Sequence, residues 1–313
     1  MNSQSNGTSF QLVICTLILG LRLADSIQTY EIQSGGFART VYASVPSGGA
    51  ARKPLVVVLH GAGGSGKTYL EKNGWVTESQ KGDFVVIAPD GLPSRPRMEP
   101  SFQTNPRVWN SGQLNPLSPR SRIDDVEFLA SMIRDAATRF PVKDQPVFMT
   151  GHSNGTGMTF RFAYSHPEML AAIAPILGQN LTGGQPLKKG VATLYMLGTE
   201  DPLNPLNGGT QKTRWASQQV PPVQTSIDKW ARSLAIENPP NVVRNDGDVE
   251  VRRYQPGKDG ATFEVWFLKG QGHAWPGGQA SGLPESVLGP NPSRVNATKE
   301  IWKFFHGVAS KGK

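Results

Sequence analysis

Apolar and polar positions along the chain alternate between two periods. Continuous apolar runs occur at Pro54 to Leu59, Phe84 to Ala88, Val147 to Thr150, Ala171 to Leu177 and Val191 to Leu197. Such runs suit strands buried on both faces of a parallel sheet. Between them lie segments with helical spacing. One starts at Asp124 or Asp125 and runs to about Phe140, with Val126, Leu129, Met132 and Ile133 on one side. Others are Tyr69 to Trp75, the stretch from Asn154 to about His166, Thr225 to Leu234, and Val295 to Phe305. Tyr30 to Gln33 and Thr40 to Val45 alternate around Ser34-Gly35-Gly36, which predicts an antiparallel hairpin. Val249 to Tyr254 and Thr262 to Leu268 read as two late strands. Strands alternating with helices predict an α/β architecture, a mainly parallel sheet with helices on both faces. No internal repeat or linker divides residues 27–313, which are expected to form one domain. Residues 92–120, rich in Pro, Ser, Asn and Arg, form a long excursion. Excursions of that length are often functional.

The N-terminal apolar run differs from the rest. Leu12 to Leu21 is too short to span a bilayer and suits the core of an export signal. No lysine or arginine precedes it. Cleavage is expected between about Ala24 and Ile27. Residues 1–26 are thus read as a signal peptide, with a secreted or periplasmic mature chain and no stable membrane span.

Composition narrows the chemistry. The 313 residues are 37% apolar and 18% charged, as a globular chain should be. The net charge is +8, but the basic residues are scattered and not interleaved with aromatics, so nucleic acid is not an expected partner. Cys15 is the single cysteine, and the five histidines lack ligand spacing. Disulfides, a metal site and a cofactor are therefore not expected.

Two glycine-rich motifs compete. Gly61-Ala-Gly-Gly-Ser-Gly-Lys-Thr68 matches the phosphate-binding loop in full, with Lys67 and Thr68 in the positions that reach phosphate and Mg²⁺. It is the rarer pattern for this composition. Gly151-His-Ser-Asn-Gly155 follows an apolar run and opens a helical one, the pattern of a strained turn that exposes Ser153. Chain order decides between them. After Ser153, an apolar run ends in Gly198-Thr-Glu-Asp201, and a later strand runs into the glycine-rich loop around His273. Nucleophile, acid and base in that order, each at a strand end, suit acyl transfer. The early loop is then a source of backbone N–H groups for an oxyanion. Pro89 before Asp90 and the export signal also argue against nucleotide hydrolysis, which stays as an alternative beside a catalytically silent binding protein.

At these residues the chain resembles the esterase/polyhydroxybutyrate-depolymerase family of α/β-hydrolases, which includes feruloyl and acetylxylan esterase-like members. The matching segments are HGAGGSG, FVVIAPDG, RVWNSG (107–112), IDDVEFL (123–129), TGHSNGTGMTFRFAYSHPEMLAAIAPILG (150–178), LGTEDPLNPLNGG (197–209) and GQGHAWPGG (270–278). The resemblance implies an α/β-hydrolase fold and a serine esterase acting on short-chain, hydroxyalkanoate or hydroxycinnamoyl esters. It places the nucleophile at Ser153, the acid at Asp201 rather than the adjacent Glu200, and the base at His273. It places oxyanion donors at the amides of Asn154 and of Ala62 or Gly63, with Ala62 preferred, and aromatic rim positions at Trp109 and Trp275. The chain departs from the pattern at Ala62 and Thr156, where glycine is usual. No polymer-docking domain is expected, which favours soluble or oligomeric esters.

Overall fold

The computed structural model describes residues 27–47, 51–112, 114–215, 217–279, 282–292 and 294–311; the expected export signal lies outside them. The strands, in chain order, are β1 (Gln28–Ser34), β2 (Phe37–Ser44), β3 (Leu55–Leu59), β4 (Val85–Pro89), β5 (Val147–His152), β6 (Ala172–Ile176), β7 (Ala192–Gly198), β8 (Gly209–Lys212), β9 (Ser217–Val220), β10 (Asn241–Asn245), β11 (Val249–Arg253) and β12 (Phe263–Leu268). The α-helices are α1 (Gly66–Lys72), α2 (Trp75–Gly82), α3 (Asp125–Arg139), α4 (Asn154–Ser165), α5 (Val223–Ser233), α6 (Glu285–Leu288) and α7 (Ala297–Lys311).

Among the described residues one sheet runs β1-β2-β4-β3-β5-β6-β7-β12-β11-β10. From β4 to β12 in that order every pairing is parallel, and the outer pairings at each edge are antiparallel. The continuous apolar runs are the parallel strands, because both of their faces are covered. Val57 and Leu59 of β3 join a core with Phe128 and Met132 of α3, Phe160 of α4 and Trp230 of α5. Val56 and Val58, pointing the other way, join Leu70 of α1, Trp75 of α2 and Ile301 of α7. This is the α/β-hydrolase architecture, with helices on both faces as expected.

Several boundaries differ from the sequence reading. The stretch expected as one helix to Trp75 is broken at Asn73-Gly74, where Gly74 has φ 76°, and Trp75 opens α2. The closing helix runs on to Lys311, so His306 lies within it, exposed. Pro89 does not interrupt β4 but ends it, opposite Val41. The β8–β9 hairpin, the exposed edge strand β10 and the short α6 fall where no regular element was expected.

The long excursion is pinned by an ionic core. Asp124 caps α3, its Oδ1 accepting from the amides of Val126 and Glu127 at 3.0 Å each. Asp125 turns inward instead. Its Oδ1 pairs with Arg39 at 3.1 Å, and its Oδ2 accepts from Arg120 and from the amide of Asn110. Arg120 also donates to the carbonyls of Leu92 and Val108. Both ends of residues 92–120 are therefore tied to one buried carboxylate. No helix among the described residues is long and apolar enough to cross a membrane.

Candidate active site

The turn from β5 into α4 puts Ser153 at φ 55° and ψ −115°, a strained conformation for a residue with a side chain. The flanking glycines make this geometry possible. A Cβ on Gly151 would lie 2.2 Å from the carbonyl oxygen of Gly155, and one on Gly155 would lie 2.6 Å from that of Leu59. The first contact is with α4 and the second with β3. Thr156, where glycine is usual in the family pattern, has its own use. Its hydroxyl lies 2.7 Å from the carbonyl oxygen of Gly151 and 2.6 Å from that of Ile176, tying the elbow to β6.

The structure brings Ser153, His273 and Asp201 together. The hydroxyl of Ser153 lies 2.8 Å from Nε2 of His273, and Nδ1 of His273 donates to Oδ2 of Asp201 at 2.8 Å. The remaining oxygen of Asp201 accepts from the amides of Leu203 and Asn204 at 2.8 and 2.9 Å. Asp201 and His273 are each 4% exposed, whereas Glu200 points to solvent. Burial therefore separates the two adjacent acids. The base loop is braced from the side by α6, since the amide of His273 donates to the carbonyl of Leu288 at 2.5 Å and that of Gly272 to Pro290 at 2.6 Å.

The early glycine-rich loop lies against the serine, for a Cβ on Gly61 would be 3.3 Å from that of Ser153. Most of its amides have internal partners. Gly61 donates to the hydroxyl of Tyr69, Gly63 to the carbonyl of Arg107, Gly64 to that of Gly61, and Gly66 to the carboxylate of Asp90. The amide of Ala62 has no partner among the described residues. This arrangement does not suit a phosphate cradle, since the amides of Gly61, Gly63, Gly64 and Gly66 are engaged within the protein and Lys67 is exposed beside Glu71. His60 shapes the turn: its Nδ1 donates to the carbonyl of Gly61 at 2.7 Å and its Nε2 accepts from the amide of Gly91 at 2.9 Å. Burial pushes its pKa down.

The two tryptophans expected at the rim are not on it. Trp109 is fully buried, with its ring 5.1 Å from that of His60 and its Nε1 donating to the carbonyl of His60 at 2.9 Å. It props the early loop from beneath, and its amide donates to the side-chain oxygen of Asn154 at 2.6 Å. Trp275, 5% exposed, packs among Tyr69, Trp75 and His152 and donates to Thr298. A solvent-facing aromatic pair lies elsewhere. Phe102 of the excursion and Trp215 of the β8–β9 hairpin meet edge to face at 5.1 Å, joined by a 2.9 Å bond from Trp215 Nε1 to the carbonyl of Phe102. Both rings rest on Gly63, where any Cβ would lie within 2.9 Å of them. No periodic pattern marks either residue; only the loops' three-dimensional paths bring them together.

His152 has a second histidine for a neighbour, His273, at 4.9 Å between ring centres. Its Nε2 donates to the carbonyl of His273 at 2.8 Å, and its Nδ1 accepts from the hydroxyl of Tyr69 at 2.5 Å. Burial first, and then His273, push its pKa down to about 3. Burial also pushes the phenol of Tyr69 up, which keeps its proton in place. Among the described residues no three His, Cys, Asp or Glu side chains converge as a metal-binding set.

No protein-family model matches the chain. It is 24% identical over 276 residues to "Putative esterase NocK" of Nocardia uniformis subsp. tsuyamanensis, covering 82% of this chain and 74% of that one. It is 28% identical over 138 residues to poly(3-hydroxyalkanoate) depolymerase C of Paucimonas lemoignei, covering 44% of this chain and 31% of that longer protein. The structure is similar to an acetyl xylan esterase from Aspergillus awamori, with a TM-score of 0.56, 17% identity, and coverage of 79% of this chain and 94% of the other. With the fold already on the page, these likenesses make the chain similar to carboxylic ester hydrolases of the α/β-hydrolase fold.

Proposed function

We propose that the chain is an exported serine esterase that works through an acyl-enzyme on Ser153, with residues 27–313 as its catalytic domain. The observation that carries this is the run of two 2.8 Å hydrogen bonds from the half-buried Ser153 through His273 to the buried Asp201. As the hydroxyl of Ser153 attacks the ester carbonyl, Nε2 of His273 takes its proton. Asp201 holds the imidazole in the tautomer with Nδ1–H and stabilises the imidazolium. His273 then returns the proton to the departing alcohol oxygen. Water attacks the acyl-enzyme by the same proton path in reverse, releasing the acid and restoring Ser153.

The tetrahedral oxyanion is held by the amides of Ala62 and Asn154. Support for Ala62 over Gly63 comes from the loop itself, where the Gly63 amide is already bonded to Arg107. Each donor is worth about 3 kcal/mol in the transition state. The substrates are small or oligomeric esters of short-chain, hydroxyalkanoate or hydroxycinnamoyl acids, a range that agrees with a depolymerase and an acetyl xylan esterase among the similar proteins.

A panel of acetyl, butyryl, 3-hydroxybutyryl and feruloyl esters tests this reading in wild type and in Ser153→Ala. Wild type should hydrolyse at least one class, and Ser153→Ala should lower kcat by at least about 10³-fold. Hydrolysis that survives Ser153→Ala, or Mg²⁺-dependent ATP hydrolysis lost with Lys67→Ala, would overturn it. Ester binding without turnover in wild type would instead favour a silent binding protein.

A further inference from the structure

Resting on the esterase reading, we infer that Tyr69 and His152 are positioning residues that hold the serine elbow, the oxyanion loop and the base loop in one register. A single chain of hydrogen bonds crosses all three. It starts at the amide of Gly61, which donates to the hydroxyl of Tyr69 at 3.0 Å. The hydroxyl donates onward to Nδ1 of His152, and Nε2 of His152 donates to the carbonyl of His273. Each end touches machinery directly. Gly61 immediately precedes Ala62, His152 immediately precedes Ser153, and the accepting carbonyl belongs to the base itself.

With His152 neutral in its buried site, the direction of every bond follows. A backbone amide can only donate and a carbonyl can only accept. Tyr69 must therefore give its proton to Nδ1, and His152 must carry its own on Nε2. That tautomer is neutral, and neutrality matters here. A charged imidazole 4.9 Å from His273 would oppose the imidazolium that forms there during attack. The groups facing His152 are Tyr69 from α1, Trp275 and His273 from the base loop, and Asp201 behind His273. None of them places a carboxylate on Nδ1, and the one hydroxyl there, that of Tyr69, already accepts from the amide of Gly61.

A leucine would fill this space but could not set the register. Shifts of a few tenths of an ångström at Ala62 and His273 weaken contacts that tighten in the transition state more than in the bound ester. The signature is thus a fall in kcat with little change in KM.

The test uses the full-length protein with p-nitrophenyl acetate. Tyr69→Phe should lower kcat about tenfold and leave KM within about twofold. His152→Leu should lower kcat about 100-fold, and His152→Gln, which keeps one donor and one acceptor, should recover most of that loss. Activity is referred to folded protein by urea unfolding of each variant. A folded Tyr69→Phe with wild-type kcat overturns the inference, as does a His152→Gln no better than His152→Leu. If His152→Leu does not fold, Tyr69→Phe decides alone. If wild type hydrolyses no ester, the esterase reading falls separately, and imidazole ¹⁵N spectra decide the register: the His273 resonances should move in Tyr69→Phe, and their constancy overturns it.

Discussion

Asp201 binds His273 with one carboxylate oxygen and the backbone of its own loop with the other, so the acid that orients the base is itself fixed at both oxygens. Asp201→Asn would keep the volume but could present an N–H to Nδ1 of His273 and so favour the wrong tautomer. It should lower kcat by about 10³–10⁴-fold, whereas Glu200→Gln, at a solvent-facing side chain, should stay within about twofold of wild type. Steady-state kinetics of both variants with one soluble ester decides between the two acids.

The elbow glycines should be intolerant of any side chain. Gly155→Ala places a Cβ 2.6 Å from the Leu59 carbonyl and 2.8 Å from that of His60, both backbone atoms that cannot swing away. Separating α4 from β3 should cost about 1–3 kcal/mol of stability or more, read as a lower urea midpoint. Gly35→Ala provides a control for the fold's general tolerance, because no atom lies within 4 Å of its Cβ position and only its positive φ opposes the change.

How much of this could be read from the chain alone depended on how local each requirement is. The elbow was legible because strand, Gly-x-Ser-x-Gly and helix are contiguous. Asp201 and His273 were legible because strand ends on one rim recur in a fixed order. The phosphate-loop pattern at Gly61–Thr68 competes on sequence because the same glycines also serve a turn; chain order already favours the oxyanion role, and the partners of Gly63, Gly64 and Gly66 agree with it. Trp109 and Trp275 were placed at the rim by likeness, but whether an aromatic faces solvent or core depends on which loop covers it. Phe102 and Trp215 were missed for the same reason, since they lie 113 positions apart and meet only through two loops without periodic pattern. Asn241–Asn245 was missed as a strand because all five residues are exposed and no alternation marks a buried face.

The pair formed by Phe102 and Trp215 should influence which esters fit. It overhangs Gly63, beside the amide assigned to the oxyanion. Trp215→Ala should raise KM for a feruloyl or cinnamoyl ester by about 3–10-fold, the worth of one lost aromatic contact, and change KM for the acetyl ester by less than about twofold. Equal effects on both substrates would assign the pair to packing alone.

Stability should fall on mild acidification because of His152. In the unfolded chain its imidazole protonates near the ordinary value of 6.5, but in the folded chain burial and the neighbouring His273 hold the pKa at about 3. Between those values the unfolded state binds the extra proton. The stabilising contribution is therefore complete above pH 6.5 and is lost as pH falls toward 3. For this one group the loss between pH 7 and pH 5 is about 2 kcal/mol. His60, whose pKa burial also lowers, acts in the same direction. Urea midpoints of wild type should drop from pH 7 to pH 5, and those of His152→Gln should drop less.

The central claim is that Ser153 is the residue that becomes acylated, activated by His273. Its most direct test is the mass of the protein after exposure to a p-nitrophenyl phosphonate, followed by peptide mapping. One adduct per chain, on Ser153, absent from Ser153→Ala and formed at least about 10³-fold more slowly in His273→Ala, is the expected result. An adduct on any other residue, or labelling of Ser153 at the same rate without His273, would contradict it.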